Sequence, residues 1–463
     1  MKAARYLMMP AVLLGALAAQ ATPLTGEAAA VHVLNRLAYG PRPGDIERVT
    51  QMGTGRYIDE QLDPAALPLP AALEQRLLRL PTQQEGAGVT FGRWRGARQA
   101  GGDAQRAVNT QLVAEAAEAR LLRAVDSPRQ LEEVMIDFWF NHFNVFAGKG
   151  DVRALATGFE RDAIRPHAFG RFRDLLGATA RHPAMLHYLD NRVSKAGGVN
   201  ENYARELMEL HTLGVDGGYT QRDVTELARM LTGWTFRPKE LAQNGETFHF
   251  DAKRHDTGAK TWLGRSVAPR MKAEGVREGE IALDILAMHP STARHVSGKL
   301  AQYFVRDVPP PALVERMART WMLSDGSVPA VLRTLFASPE FMDDSAAGAK
   351  FKTPYQYVVS AARAGGLAPD VKKLSGALAR LGMPLYGCPT PDGYDNTQQA
   401  WLNPDALANR IGLAAALGRE ADARTVAQAL GPALSARTRA LSGAEPARLH
   451  AALLLGSPDF MQR

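Results

Sequence analysis

Apolar residues recur at every third or fourth position along most of this chain, the spacing that places them on one face of an α-helix. Short segments containing Gly and Pro interrupt this pattern, as turns between helices do. The pattern predicts helices over residues 27–37, 104–125, 128–143, 154–164, 168–181, 201–213, 220–232, 278–288, 291–304, 312–323, 328–336, 355–364, 371–380 and 405–416. The predicted fold class is therefore mainly α, a multi-helical globular body.

Three segments depart from the helical spacing. Residues 235–263 combine several glycines with the alternating Phe248 and Phe250, so we expect a short hairpin-like or irregular insertion there. Residues 81–102 are rich in Gly, Gln and Arg, and we expect them to form a mobile surface loop. Residues 384–403 form a second predicted loop, rich in Pro, Gly and aromatic side chains.

The first residues follow the order of a Sec-type signal peptide. Lys2 and Arg5 give a positive start, the mostly apolar run 7–19 follows, and a small-x-small triplet ends at Ala21. The apolar run of about 13 residues is shorter than the roughly 20 that a membrane-spanning helix needs. The alternative is an N-terminal helix of the hydrophobic core. We expect residues 1–21 to be a cleaved signal peptide and the mature protein to be periplasmic or secreted.

The predicted mature chain is long enough for one large or two medium domains. Residues 350–353 mark a boundary between a main helical domain, residues 22–349, and a C-terminal helical region, residues 350–463, packed on it. Past Ala21 no apolar stretch approaches the length of a membrane-spanning helix, so we expect no membrane span in the mature chain.

Charge and cysteine content narrow the classes of function. The formal net charge of +7 falls to +5 without Lys2 and Arg5, and the basic residues are spread among acids, so we expect no nucleic-acid partner. Cys388 is the one cysteine, which excludes an intramolecular disulfide and multi-cysteine metal sites. We expect a buried thiol there, with pairing to another molecule as the alternative. Nucleophile-elbow, Walker, HExxH and dinucleotide-binding motifs are missing.

The densest run of polar residues lies at 200–214. On a regular helix Glu206 and Glu209 share one face, where two carboxylates repel unless a metal or an arginine lies between them. His211 falls on the other side, so the Glu-x-x-His spacing of helical di-iron sites is not met. Two interpretations stay open: a functional acid pair, or structural acids bound to basic partners on other helices, with His211 as a core histidine.

A second run, residues 131–146, places His142 on a stripe with aromatic and aliphatic side chains. Such a histidine is either a hydrogen-bonded core residue or a group whose tautomer and pKa suit acid–base work or metal ligation near the glutamates. The candidate catalytic residues are Glu206 or Glu209 as base or metal ligand, His142 as acid or second ligand, and Arg205 as a clamp for an anion or carboxylate. The candidate metal ligands are His211, His142 and Glu206; no cofactor is specified, and a divalent metal could be held.

A third motif, His255-Asp256, occurs in metal phosphohydrolases, but a turn with a local hydrogen bond also accounts for it. With these pieces in order the chain resembles the bacterial domain-of-unknown-function family numbered 1800 over nearly all of its predicted mature length. The matching stretches are His32-x-x-Asn35-Arg36-x-x-Tyr39-Gly40, Phe138-Trp139-x-x-His142-Phe143, Asn200-Glu201-Asn202-Tyr203-Ala204-Arg205-Glu206-x-x-Glu209-Leu210-His211-Thr212-x-Gly214, Leu231-Thr232-Gly233-Trp234, His255-Asp256, His289-Pro290-x-Thr292-Ala293, Ser338-Pro339-Glu340-Phe341 and Pro391-x-Gly393-Tyr394.

The resemblance implies a helical, exported protein and supplies no catalytic residue to carry over. Members of that family are frequent gene neighbours of a sulfatase-like exported family, which implies work on extracellular polymers. Two hypotheses follow. The protein is a hydrolase or polymer-modifying enzyme with a Glu/His/Arg site, or it is a periplasmic scaffold or binding partner of another exported protein, in which the same residues form a buried ion-pair network.

Overall fold

The computed structural model describes residues 22–463, so the predicted signal peptide, residues 1–21, lies outside the described residues. Within them α-helices dominate, which confirms the mainly α prediction. The helices are α1 (Gly26–Leu37), α2 (Asp45–Met52), α3 (Thr54–Gln61), α4 (Ala71–Leu78), α5 (Pro81–Gln84), α6 (Ala87–Ala100), α7 (Gly102–Asp126), α8 (Gln130–His142), α9 (Val152–Phe159), α10 (Phe172–Arg181), α11 (Pro183–Tyr188), α12 (Asn202–Glu206), α13 (Gln221–Met230), α14 (Pro238–Asn244), α15 (Val276–Ala287), α16 (Pro290–Phe304), α17 (Pro311–Leu323), α18 (Val328–Phe336), α19 (Pro354–Ala364), α20 (Val371–Arg380), α21 (Gln398–Trp401), α22 (Pro404–Leu417), α23 (Ala423–Leu430), α24 (Ala436–Ala444), α25 (Ala447–Leu455) and α26 (Pro458–Met461).

Local sequence explains where several of these helices begin. Thr353 caps α19, with Pro354 at the first helical position and Gln356 returning a hydrogen bond to the cap, a capping box. Thr220 and Asp223 form the same arrangement at α13. Two helices continue into π-helical turns with one extra residue per turn, at Glu160–Ile164 after α9 and at Leu207–His211 after α12.

The predicted insertion contains the short strands. β1 (Trp234–Thr235) pairs antiparallel with β2 (His249–Phe250), and β3 (Lys260–Trp262) forms a hairpin with β4 (Arg265–Val267). The prediction of a hairpin-like segment near 235–263 is therefore confirmed, with one addition. Helix α14 lies between β1 and β2.

The predicted mobile loop at 81–102 is wrong, because this segment forms α5 and α6. Its glycines serve close helix packing instead of turns. A Cβ atom on Gly88 would lie 2.5 Å from the Leu241 carbonyl oxygen, and one on Gly92 would lie 3.1 Å from that of Ala242. The absence of side chains at these positions lets α6 approach α14 closely.

One contiguous apolar core runs from α1 through the C-terminal helices. Polar contacts also cross the predicted boundary near residue 350: buried Arg363 of α19 donates to the carbonyl oxygens of Gly40 and Val125. The division into two regions stays a prediction. No helix within residues 22–463 combines the length and the apolar character that a bilayer crossing requires.

Candidate functional site

The segment that carries Glu206 and Glu209 is not a regular helix. Its π-helical turn at Leu207–His211 rotates the following side chains away from the positions of a 3.6-residue repeat. The Thr212 hydroxyl closes the turn by donating to the Leu207 carbonyl oxygen at 2.6 Å. The two glutamates are partly exposed, while His211 is buried.

Glu206 and Glu209 are two neighbouring acids without an ion-pair partner in the described residues. Neither carboxylate forms an ion pair or a side-chain hydrogen bond with another residue in the described part of the chain, whereas the structural-acid interpretation required basic partners on other helices. Burial raises the pKa of Glu206 above its ordinary value, and the charges of Glu209 and Asp392 raise it further, against a smaller opposite effect of Arg205. Asp392 therefore joins the two predicted glutamates as a third carboxylate.

Arg205 lies at the corner between α12 and α13, where its side chain binds Glu201 and Gln221. Its guanidinium donates to Glu201 Oε2 at 3.2 Å and to Gln221 Oε1 at 2.9 Å. These two bonds hold the guanidinium through Nη2, and the role of Arg205 as an anion clamp stays a prediction.

His142 is buried among aromatic rings at the end of α8. Its side chain packs against Trp139 and Phe143, with ring centroids at 5.6 and 4.6 Å. The Nε2 atom donates to the His211 carbonyl oxygen at 3.1 Å, so the neutral ring carries its proton on Nε2 and leaves Nδ1 as an acceptor with no partner. Burial lowers the pKa of His142 well below its ordinary value, and Lys299, His211 and His295 lower it further.

The predicted site residues therefore form two pairs instead of one cluster. His142 lies beside His211, with ring centroids 6.0 Å apart, and Glu206 lies beside Glu209. The glutamates are not among the charges that act on His142. Across residues 22–463 no three His, Cys, Asp or Glu side chains converge in a way that could hold a metal ion.

A lysine that the sequence reasoning missed lies between these pairs. Lys299 of α16 lines a half-enclosed cavity of about 30 Å³ with His142 and Asp395. Its ammonium group forms no hydrogen bond or ion pair with the described residues. Burial lowers its pKa, while Asp392 and Asp395 act in the opposite direction. The signal was present in the helical pattern: Lys299 lies between the buried Val296 and Tyr303, at a position where an apolar side chain is expected.

The loop at 384–403 brings Asp392 and Asp395 to this place, and two asparagines anchor it. Asn141 Nδ2 donates to the Tyr394 carbonyl oxygen at 2.8 Å, and its Oδ1 accepts from the Tyr394 amide at 2.8 Å. Asn144 donates to the carbonyl oxygens of Cys388 and Thr390. Gly393 has φ +77° and lies so close to Asn141 that a Cβ atom would collide with it. Cys388 is a buried free thiol, as predicted.

The motif His255-Asp256 belongs to a separate network of ion pairs and hydrogen bonds. Asp256 accepts from Arg229 Nε at 3.0 Å and from the Gly258 amide at 2.9 Å, which is the local turn that the sequence allowed. Buried Glu278 lies 2.8 Å from Lys260 Nζ and 3.5 Å from His255 Nε2. These contacts hold the β3–β4 hairpin onto α13 and α15.

Fold and site together define a multi-helical protein with two partly exposed glutamates that lack ion-pair partners in the described residues and a partly buried lysine that lines a small cavity. The chain belongs to the family described as protein of unknown function (DUF1800), whose sequence model matches residues 32–462. It matches no curated protein and no solved structure.

Proposed function

We propose that the protein is an exported hydrolase or polymer-modifying enzyme in which Glu206 is the general acid and Glu209, with Asp392, supplies the carboxylate base. The observation that carries the proposal is that Glu206 and Glu209 lie side by side, partly exposed and without any protein partner. In the rival hypothesis of a non-catalytic scaffold these carboxylates belong to an ion-pair network, and the missing partners speak against that role.

The electrostatics of the pair support acid–base chemistry. Catalysis by two carboxyl groups requires one protonated and one ionised group at the same pH, and neighbouring like charges separate their titrations. Burial, Glu209 and Asp392 all raise the pKa of Glu206, which makes it the proton donor of the pair. Cleavage of a glycosidic bond uses such a pair, with the acid protonating the leaving oxygen and the carboxylate activating water or attacking carbon.

The surroundings of the pair suit a chain-like substrate. Both glutamates reach solvent, so an extended polymer can approach them without entering a deep cavity. Tyr219 is partly exposed and lies near the pair: burial is the larger cause that raises its pKa, and the charge of Glu209 is the next. An aromatic ring is a surface on which a sugar face can pack. The export part of the proposal rests on the signal-like residues 1–21 and on the resemblance to an exported family.

The test is a cleavage assay on purified residues 22–463. Peptidoglycan sacculi and a panel of insoluble β-linked glycans are incubated with the wild type, Glu206→Gln and Glu209→Gln, and new reducing ends are counted. We expect release by the wild type and a loss of about 10²–10⁴-fold in Glu206→Gln. The control is Glu74→Gln, an exposed glutamate of α4, which should retain full activity.

Two results would refute the proposal: no release from any polymer by the wild type, or unchanged release by Glu206→Gln. The export part is tested separately. Full-length chain produced in a bacterium should appear in the periplasmic fraction or medium with Thr22 as its first residue, as read by N-terminal sequencing.

A further inference from the structure

Lys299, which is partly buried, differs from the fully buried lysines Lys260, Lys350 and Lys352. Lys260 pairs with Glu278 at 2.8 Å, and Lys350 is bound by Asp307 and by the Asn396 carbonyl oxygen. Lys352 donates to Ser360 Oγ at 2.9 Å. Lys299 lines a cavity, whereas each of the other three lysines binds a partner in the protein. Its amine is therefore the one of the four that a small molecule can approach without displacing a protein contact.

The groups around Lys299 come from three elements and favour an uncharged amine. His142 of α8, His211 of the π-helical turn and His295 of α16 all stay neutral, since burial lowers the pKa of each, to about 3 for His211 and about 4 for His295. Asp392 and Asp395 of the loop favour the ammonium form, and Asp395 lines the cavity itself together with Asp137 of α8. Burial outweighs them, so the pKa of Lys299 lies below its ordinary value.

We propose that Lys299 is a reactive amine whose cavity accepts a small aldehyde or ketone and holds it as an imine. A desolvated lysine without a counter-ion is the form in which this side chain acts as a nucleophile. The cavity of about 30 Å³ exceeds the space of a single water, which limits the carbonyl compound to a few heavy atoms.

The reaction balances without any further reagent. The nitrogen lone pair forms a bond to the carbonyl carbon, the carbonyl electron pair moves to oxygen, and one proton passes from nitrogen to that oxygen. The second amine proton then leaves with the hydroxyl group as water, and a neutral C=N bond remains. His142 lines the same cavity, and its Nδ1 is an unprotonated acceptor without a protein partner.

The inference is independent of the acid–base chemistry proposed for Glu206, and its test uses the wild-type protein. Residues 22–463 are incubated at pH 7.5 with glycolaldehyde and sodium cyanoborohydride, which reduces the imine to a stable amine. Peptide mass spectrometry then gives the rate of modification at each lysine. We expect Lys299 to react at least ten times faster than Lys373, an exposed lysine whose pKa Glu420 raises.

Two internal controls accompany this comparison. Lys352, enclosed and bonded to Ser360, should remain unmodified while the protein is folded, and it should react once the protein is unfolded in urea. Lys299→Met should lose the fast modification and retain the slow modification of Lys373. Because the wild-type rates decide the question, failure of this variant to fold leaves the test intact. A rate at Lys299 less than ten times that at Lys373 would overturn the proposal.

Discussion

Two groups of charged side chains lie near α8, and they are organised in opposite ways. The first group joins α7, α8 and the π-helical turn after α9, and every member is paired. Arg120 contacts Asp137 at 2.5 Å and Glu160 at 3.3 Å. Arg165 contacts Glu133 at 2.8 Å and Glu160 at 3.2 Å. The members of the second group form no ion pair or side-chain hydrogen bond within residues 22–463; they are Glu206, Glu209, Asp392 and Lys299.

The difference shows how ion pairing distinguishes charges that stabilise the fold from charges that are free to bind a ligand. Burial alone would raise the pKa of Glu160, but Arg120 and Arg165 lower it below its ordinary value, so this carboxylate stays ionised as part of the fold. For Glu206 burial and neighbouring charges act in the same direction, and the pKa rises. The paired group holds helices together, and the unpaired group has capacity left for a ligand.

Breaking the paired group should have the largest effect. Arg120→Met leaves the buried carboxylates of Asp137 and Glu160 without their shared cation, so we expect the free energy of unfolding to fall by about 3–5 kcal/mol. Urea denaturation followed by far-UV circular dichroism measures this loss. Arg106→Met, which removes an exposed pair with Asp103, is the matched control and should change stability by less than about 0.5 kcal/mol. Equal losses in both variants would contradict the structural role assigned to Arg120.

A smaller effect is expected where the loop at 384–403 meets α8. Asn141→Ala removes both hydrogen bonds to Tyr394 and leaves its amide and carbonyl groups without partners, at a cost of about 1–3 kcal/mol. Hydrogen exchange should accelerate at residues 391–396 before it does elsewhere. Asn244→Ala, which removes one local hydrogen bond on an exposed turn, serves as control. Unchanged exchange at 391–396 would show that Asn141 does not anchor the loop.

The smallest effect, and the one with the opposite sign, is expected at Glu206. Because its pKa is raised in the folded protein, stability from this group is present below its ordinary pKa of 4.5 and is lost as the pH rises through the folded-state pKa. Glu206→Gln removes this loss. The free energy of unfolding of the variant should therefore exceed that of the wild type by about 0.5–1 kcal/mol at pH 7 and equal it near pH 4. Denaturation at both pH values measures the gain, with Glu74→Gln as control. A destabilised variant at pH 7 would mean that Glu206 has a partner after all.

Local signals predicted most of the helices because each such signal lies within a few residues. The predicted helices 104–125 and 355–364, observed as α7 (Gly102–Asp126) and α19 (Pro354–Ala364), are examples. The segment 87–100 was missed because its glycines, typical of loops, here fit against α14. Composition cannot distinguish a glycine that bends the chain from one that lets two helices touch.

The site was predicted less completely, for reasons that lie outside local sequence. Glu206 and Glu209 were proposed from their helical spacing and stay a prediction; the π-helical turn at Leu207–His211, which contains Glu209 and directly follows Glu206, is not part of a regular repeat and was not predicted. Asp392 and Lys299 were missed because only tertiary contacts bring the loop and α16 to the end of α8. A lysine on the apolar face of a helix was the one available signal.

The anchoring of the loop by α8 also has a kinetic consequence. The bonded pair Asn141 and Tyr394 is separated by 253 residues, so this contact closes a very long segment of chain. Contacts of such high sequence separation form late, after the local helices and their neighbours have reduced the entropy of closure. The carboxylate group should therefore be completed near the end of folding. A nascent chain that ends before residue 384 would already carry both glutamates, yet it would still lack the aspartate that tunes them.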